Sequence, residues 1–108
     1  MTIVKRTINK VVGNKVSKVE KVLDSLQIWF ENGYLFKIYN AYEVNGRVSA
    51  DGAELLTRKL CEVKKSDNSI EFVFEDGITL RIGMRDDDYN GPEAMNCIAP
   101  DGTFIVWD

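Results

Sequence analysis

Residues 11–38 and residues 55–82 align without a gap at a constant offset of 44, and eight of the 28 positions are identical. The identities are Lys15 with Lys59, Val19 with Val63, Lys21 with Lys65, Ser25 with Ser69, Phe30 with Phe74, Glu31 with Glu75, Gly33 with Gly77 and Ile38 with Ile82. Average residue usage gives about two by chance. A chain built on such a repeat must fold each unit as a similar supersecondary element and bury the two against each other, because neither can cover its own apolar face.

Each unit carries a period-2 apolar pattern around a glycine. In the first, Leu26, Ile28 and Phe30 precede Glu31-Asn32-Gly33 and Tyr34, Phe36 and Ile38 follow. In the second, Ile70, Phe72 and Phe74 precede Glu75-Asp76-Gly77 and Ile78, Leu80 and Ile82 follow. Alternation of this kind marks half-buried β-strands, and the glycine between them marks a hairpin. Parity selects the turn. A two-residue loop pairs even with odd positions and sends the two strands' apolar residues to opposite faces. A three-residue loop, built as a type I turn followed by a left-handed glycine, pairs Phe30 with Tyr34 and Phe74 with Ile78 and keeps every apolar residue on one face.

The tail repeats the device at Pro100-Asp101-Gly102, with proline suited to the first central position of a type I turn. Cys97 is then expected opposite Ile105, and Met95 opposite Trp107. Lys15 to Lys21 and Lys59 to Lys65 alternate well enough to form the first strand of each unit. Val4, Ile8, Val11 and Val12 have helical spacing and stop at Gly13, which predicts a short N-terminal helix; Ala53 to Lys59 is its shorter counterpart. Asn45-Gly46 adds a turn after a long strand from Tyr34 to Val44. The expected fold is a single domain over residues 1–108. It is mainly β: two tandem antiparallel meanders and a C-terminal hairpin over residues 94–108, closed into a sandwich or a strongly curved sheet.

The 108 residues contain no histidine, so Ser-His-Asp, Cys-His and His-zinc constellations cannot be built within the chain. Cys61 and Cys97 lie among apolar neighbours and read as reduced, buried thiols. The stretch MTIVKRTINKVVGNKV interrupts its apolar residues with charges, unlike the core of an export signal, and no stretch approaches a membrane span. A cytoplasmic location is expected.

Asp86-Asp87-Asp88-Tyr89-Asn90-Gly91 matches the first half of an EF-hand loop, but Cys97 occupies the position that needs a bidentate glutamate and Pro92 follows at once. No metal site and no cofactor are expected. The carboxylates of Asp86, Asp87, Asp88 and Glu93 show no spacing that separates a general acid from a base, and neither glycine-rich phosphate motif occurs. The chain reads as non-enzymatic.

Charge is unevenly spread: residues 1–65 hold 12 basic and 7 acidic side chains, and residues 66–108 hold 2 basic and 10 acidic. The net -3 is therefore +5 followed by -8. An acidic field of that size disfavours nucleic acid and anionic membrane and favours a basic protein partner. Asp86, Asp87, Asp88 and Glu93 are the candidate charges, with Tyr89 as an aromatic anchor among them. Trp29 falls on the face opposite Phe30, Tyr34, Phe36, Phe72 and Phe74, beside its cross-strand partner Leu35; the two form a possible second interface.

The repeated F-E-[ND]-G hairpins, the acidic stretch, the segment Tyr89-Asn90-Gly91-Pro92-Glu93-Ala94 and the final Pro100-Asp101-Gly102-Thr103-Phe104-Ile105-Val106-Trp107 together resemble small bacterial immunity proteins of polymorphic toxin systems. The class they are similar to is that of contact-dependent growth inhibition immunity proteins. The resemblance implies a cytoplasmic, non-enzymatic antidote that binds one cognate basic toxin domain, often a nuclease, and occludes its active site. The alternative is a non-catalytic protein-binding or homodimeric scaffold module, and the expected state is monomer or weak homodimer.

Overall fold

The computed structural model describes residues 3–107, with side chains from Thr7 onward. The side chain of Val4, expected on the helix stripe, and Asp108, at the end of the closing hairpin, lie outside the described residues. Among the described residues a short helix α1 (Ile3–Val11) precedes ten strands. It ends as expected at Gly13, whose φ is 92°. Asn14 and Asn32 each donate an Nδ2 hydrogen to the Lys10 carbonyl at 3.0 Å, satisfying one of the acceptors a helix end leaves open.

The two repeats form two matching meanders. The first is β1 (Val16–Val22), β2 (Ser25–Phe30) and β3 (Leu35–Ile38); the second is β6 (Leu60–Lys65), β7 (Ser69–Phe74) and β8 (Thr79–Gly83). Between them lie β4 (Tyr42–Val44) and β5 (Arg47–Val48), joined at Asn45-Gly46, and after them come β9 (Met95–Ile98) and β10 (Phe104–Trp107). The first hairpin keeps the expected register, with Ile28 opposite Phe36 and the Phe30 N–H donating to the Tyr34 carbonyl at 2.9 Å. The second has Phe72 opposite Leu80 and the Phe74 N–H on the Ile78 carbonyl at 2.8 Å. Its turn differs in type: Asp76, with φ 62°, is left-handed as well as Gly77. Parity constrains register and leaves this choice open.

The repeat units meet across a pseudo-two-fold axis. Lys15 pairs with Lys59, its own equivalent. Around that pair, Val16 N–H donates to the Arg58 carbonyl and Leu60 N–H to the Asn14 carbonyl, both at 3.0 Å. Gly13 N–H meets the Leu60 carbonyl at 2.8 Å, and Thr57 N–H the Val16 carbonyl at 2.9 Å. Each bond is its mate with the two repeats exchanged.

The expected long strand from Tyr34 to Val44 is broken. β3 ends at Ile38, residues 39–41 cross to the other layer, and β4 pairs with β8 of the second unit. The chain leaving β8 crosses back, so that β9 pairs with β3. The sheets therefore run β1-β2-β3-β9-β10 and β5-β4-β8-β7-β6, all antiparallel. The closing hairpin takes the expected register, Cys97 opposite Ile105 and Met95 opposite Trp107. The counterpart expected over Ala53 to Lys59 is a single 3-10 turn, Ala53–Leu55.

The inner faces pack as a sandwich. Leu26, Ile28, Phe30, Phe36 and Ile38 are buried from one sheet, and Ile70, Phe72, Phe74, Leu80 and Ile82 from the other. Phe36 stands at the centre, its ring 5.4 Å from Phe72 across the layers and 5.8 Å from Phe30, both edge to face. Cys97 is buried here as expected, but Cys61 is exposed. The cause is a β-bulge: register shifts between Leu60 and Glu62, as it does between Val16 and Lys18, and the extra residue in each strand, Cys61 or Ser17, is exposed.

Candidate functional site

The two crossovers are unequal. Ile38 and Tyr42 are separated by residues 39–41, whereas their equivalents Ile82 and Met95 are separated by residues 83–94, nine more. The excess forms the acidic loop. It is held against the shorter crossover by backbone bonds: Tyr39 and Asn40 N–H groups both donate to the Ala94 carbonyl, at 2.9 and 3.0 Å, and Ala41 N–H to the Asp88 carbonyl at 2.8 Å. Asn90 Nδ2 adds a bond to the Tyr39 carbonyl at 2.8 Å.

Within the loop the candidate residues take separate parts. Asp86–Asp88 is one 3-10 turn. Asp88 folds back over Gly83, where the missing Cβ leaves room, and its Oδ2 accepts the Arg85 N–H at 3.1 Å. A carboxylate satisfying a free N–H at the start of a helical turn is a stabilising cap. Asp86 and Asp87 are exposed and make no ion pair among the described residues. Tyr89 is half-buried against the core. Glu93 is half-buried, and its Oε1 accepts from Asn96 Nδ2 at 3.3 Å. The five residues thus share one loop without forming one patch. Among the described residues no three His, Cys, Asp or Glu side chains converge as metal ligands.

The loop borders two depressions. One, of about 300 Å³, has Asp88, Arg85, Arg81 and Glu43 on its walls. The other, of about 460 Å³, lies between Pro92 and Glu93 of the loop and Val22, Leu23 and Asp24 of the β1–β2 turn, with Tyr39 also lining it. Asn96, only 3% exposed, donates Nδ2 to the Tyr39 hydroxyl at 3.1 Å as well as to Glu93, and so fixes two lining residues. Sequence reasoning missed Val22, Leu23, Asp24 and Tyr39. A signal existed, since the repeat aligns Val22 and Leu23 with Ser66 and Asp67.

Trp29 and Leu35 are cross-strand partners as expected and half-buried on the outer face of the first sheet. Leu35 lies opposite Ile98, and Ile98 opposite Phe104, which is 55% exposed. Lys18 sits with Nζ 4.6 Å from the Trp29 ring centroid and completes a row across all five strands. The equivalent row of the second sheet reads Glu62, Val73 and Thr79, so the fold does not require this apolar stripe.

Among the described residues no helix is long and apolar enough to cross a membrane. No protein-family model, curated protein or solved structure matches the chain.

Proposed function

We propose that the protein is a non-enzymatic binding module of the immunity type, which engages a basic toxin domain through its acidic crossover and keeps that domain's cationic active site from its substrate. The observation that carries this reading is the nine-residue excess of the second crossover over its symmetry mate. A sandwich that crosses once with three residues does not need twelve for the return. The added length presents Asp86 and Asp87 to solvent, and neither forms an ion pair among the described residues. A nuclease must carry cationic groups for its phosphate substrate, and an acidic surface competes for those groups while blocking access.

The test is to retain partners on the tagged chain in cells of its source and identify the captured protein. That protein is then expressed alone and with the chain. The reading requires a basic domain that is toxic alone and tolerated in the chain's presence. Asp86→Asn/Asp87→Asn should slow association by about threefold to tenfold at low salt, with little effect at high salt. A captured protein that is harmless alone, or association rates untouched by the double substitution, overturns it.

The outer stripe of Trp29, Leu35, Ile98 and Phe104 favours a second reading, self-association through the first sheet. Sedimentation of the purified protein decides it: a dimer lost in Trp29→Ala/Phe104→Ala supports this reading, and a monomer at all concentrations rejects it.

A further inference from the structure

The turns that open the two meanders perform the same task with opposite chemistry. Ser66 to Ser69 is a polar turn closed by its own side chains: Ser66 Oγ accepts the N–H groups of Asn68 and Ser69 at 3.3 and 3.2 Å. The first unit makes the same two-residue connection, with Val22 opposite Ser25 and Ser25 Oγ donating to the Val22 carbonyl at 2.8 Å, but it places aliphatic Leu23 at the tip, beside Val22 and Asp24. Leu23 is 90% exposed and Val22 37%. Leu23 also has φ 55°, a left-handed conformation unfavourable for any residue with a Cβ and seldom held by a bulky one. The second turn shows that the scaffold requires neither the aliphatic tip nor its strained backbone. Such strain concentrates at functional sites.

These residues face the inserted loop across the cleft. Pro92 and Gly91 line the loop side, Tyr39 is held there by Asn96, and Asp24 and Glu93 supply carboxylates; among the described residues no lysine or arginine lines the space. Asn96 occupies one Glu93 oxygen, leaving the other to accept. We infer that this cleft receives a lysine or arginine side chain of the partner. Its methylene stem lies against Leu23, Val22 and Pro92, and its charged head pairs with Asp24 and Glu93. Long basic side chains bury their stems on apolar surface while the head keeps a polar partner. An acidic side chain is repelled here. A purely apolar one desolvates two carboxylates and returns nothing to them. The inference rests on the proposed function only for the partner being a basic protein.

The test uses the isotope-labelled protein, titrated by NMR with N-acetyl-arginine amide, N-acetyl-lysine amide and N-acetyl-norleucine amide. The expected result is saturable amide shifts at Leu23, Asp24, Tyr39 and Glu93 with the two cationic amides. Norleucine amide should bind at least about tenfold more weakly, the discrimination expected of one charge-assisted pair. Asp24→Asn should weaken the cationic amides at least about threefold. Equal shifts with all three amides, or shifts centred on Asp86 and Asp87, overturn the inference. A chain that captures no toxin but binds arginine amide in the cleft refutes the parent reading and leaves this one standing. Capture of a basic toxin whose affinity falls with Asp86→Asn/Asp87→Asn, but is unchanged in Leu23→Asn/Asp24→Asn, does the reverse.

Discussion

Replacing Gly83 with alanine tests whether the acidic crossover is held in place by its own carboxylate. A Cβ at Gly83 would lie 2.8 Å from Asp88 Oδ1 and closer still to Oδ2 and Cγ, so the carboxylate must move away. The bond from the Arg85 N–H to Oδ2, 3.1 Å long, is then lost. A hydrogen bond to a charged acceptor contributes about 1.5–3 kcal/mol, and the half-buried position of Asp88 argues for the lower end. Opposing this, Gly→Ala at a backbone position that tolerates alanine stabilises by about 0.4–1 kcal/mol, through the entropy of the unfolded chain. Gly83→Ala alone should therefore cost roughly 0.5–1 kcal/mol and Asp88→Ala about 1.5 kcal/mol.

The two substitutions remove the same bond, so together they should cost no more than Asp88→Ala alone, and less by the alanine gain. The coupling expected from a double-mutant cycle is about 1.5 kcal/mol, the cap bond counted once. In a domain of this size that is roughly 6–12 °C of melting temperature between the observed and additive double variant. Urea denaturation of the four proteins, followed by tryptophan fluorescence, measures it. Additivity within about 0.5 kcal/mol, or a neutral Gly83→Ala in the otherwise unaltered chain, refutes the account of Asp88 as the loop's internal anchor.

Three further outcomes are expected. Leu23→Asn places a residue tolerant of the left-handed region at φ 55° and should raise stability by about 0.5–1 kcal/mol in urea denaturation, while weakening arginine amide in the cleft at least threefold; a loss of stability contradicts the strain argument. Iodoacetamide at pH 8 should modify Cys61 and spare Cys97, because burial pushes the Cys97 thiol up to about 12; mass spectrometry reads the difference, and comparable labelling of both in the folded protein contradicts it. The Asp101 carboxyl is held below its ordinary value by bonds from Thr103, chiefly its backbone N–H at 2.9 Å. Its contribution to stability is therefore present above the unfolded-state carboxylate range and is lost as pH falls through the folded value. Asp101→Asn should flatten that acid limb in thermal melts; a limb unchanged in the variant assigns the effect elsewhere.

Strand pairing was legible because parity is unforgiving: a one-residue slip would turn Leu26, Ile28 and Phe30 out to water, and only the three-residue turn avoids this. The exchange of β4 and β9 between layers was not legible. Apolar residues recur at every second position from Tyr34 to Val44 except at Asn40, and one polar residue in the series does not by itself separate a continuous strand from two strands in different sheets broken at residues 39–41. Cys61 was misplaced for a related reason, since a bulge adds one residue and reverses which side of the strand a position faces. The acidic residues stand out in the distribution of charge along the chain, but that distribution carries no geometry. Only the structure separates Asp88, bound to the Arg85 N–H, from the exposed Asp86 and Asp87.

The duplication also serves as an internal control on what the fold itself demands. At the central inward position the units trade volume rather than lose it: Ile28 pairs with Phe36 in one, and Phe72 with Leu80 in the other, so both of these pairs hold one aromatic and one aliphatic residue with the order reversed. Packing accounts for that conservation of volume. It does not account for Val22, Leu23 and Asp24, whose counterparts are Ser66, Asp67 and Asn68, nor for the nine added residues of the second crossover. These two departures arise about seventy positions apart in the chain, and a fold indifferent to them has no reason to bring them together. They meet across a single cleft, Leu23 and Asp24 on one side and Pro92 and Glu93 on the other. Such convergence is expected of a binding surface, where both departures answer to the same partner.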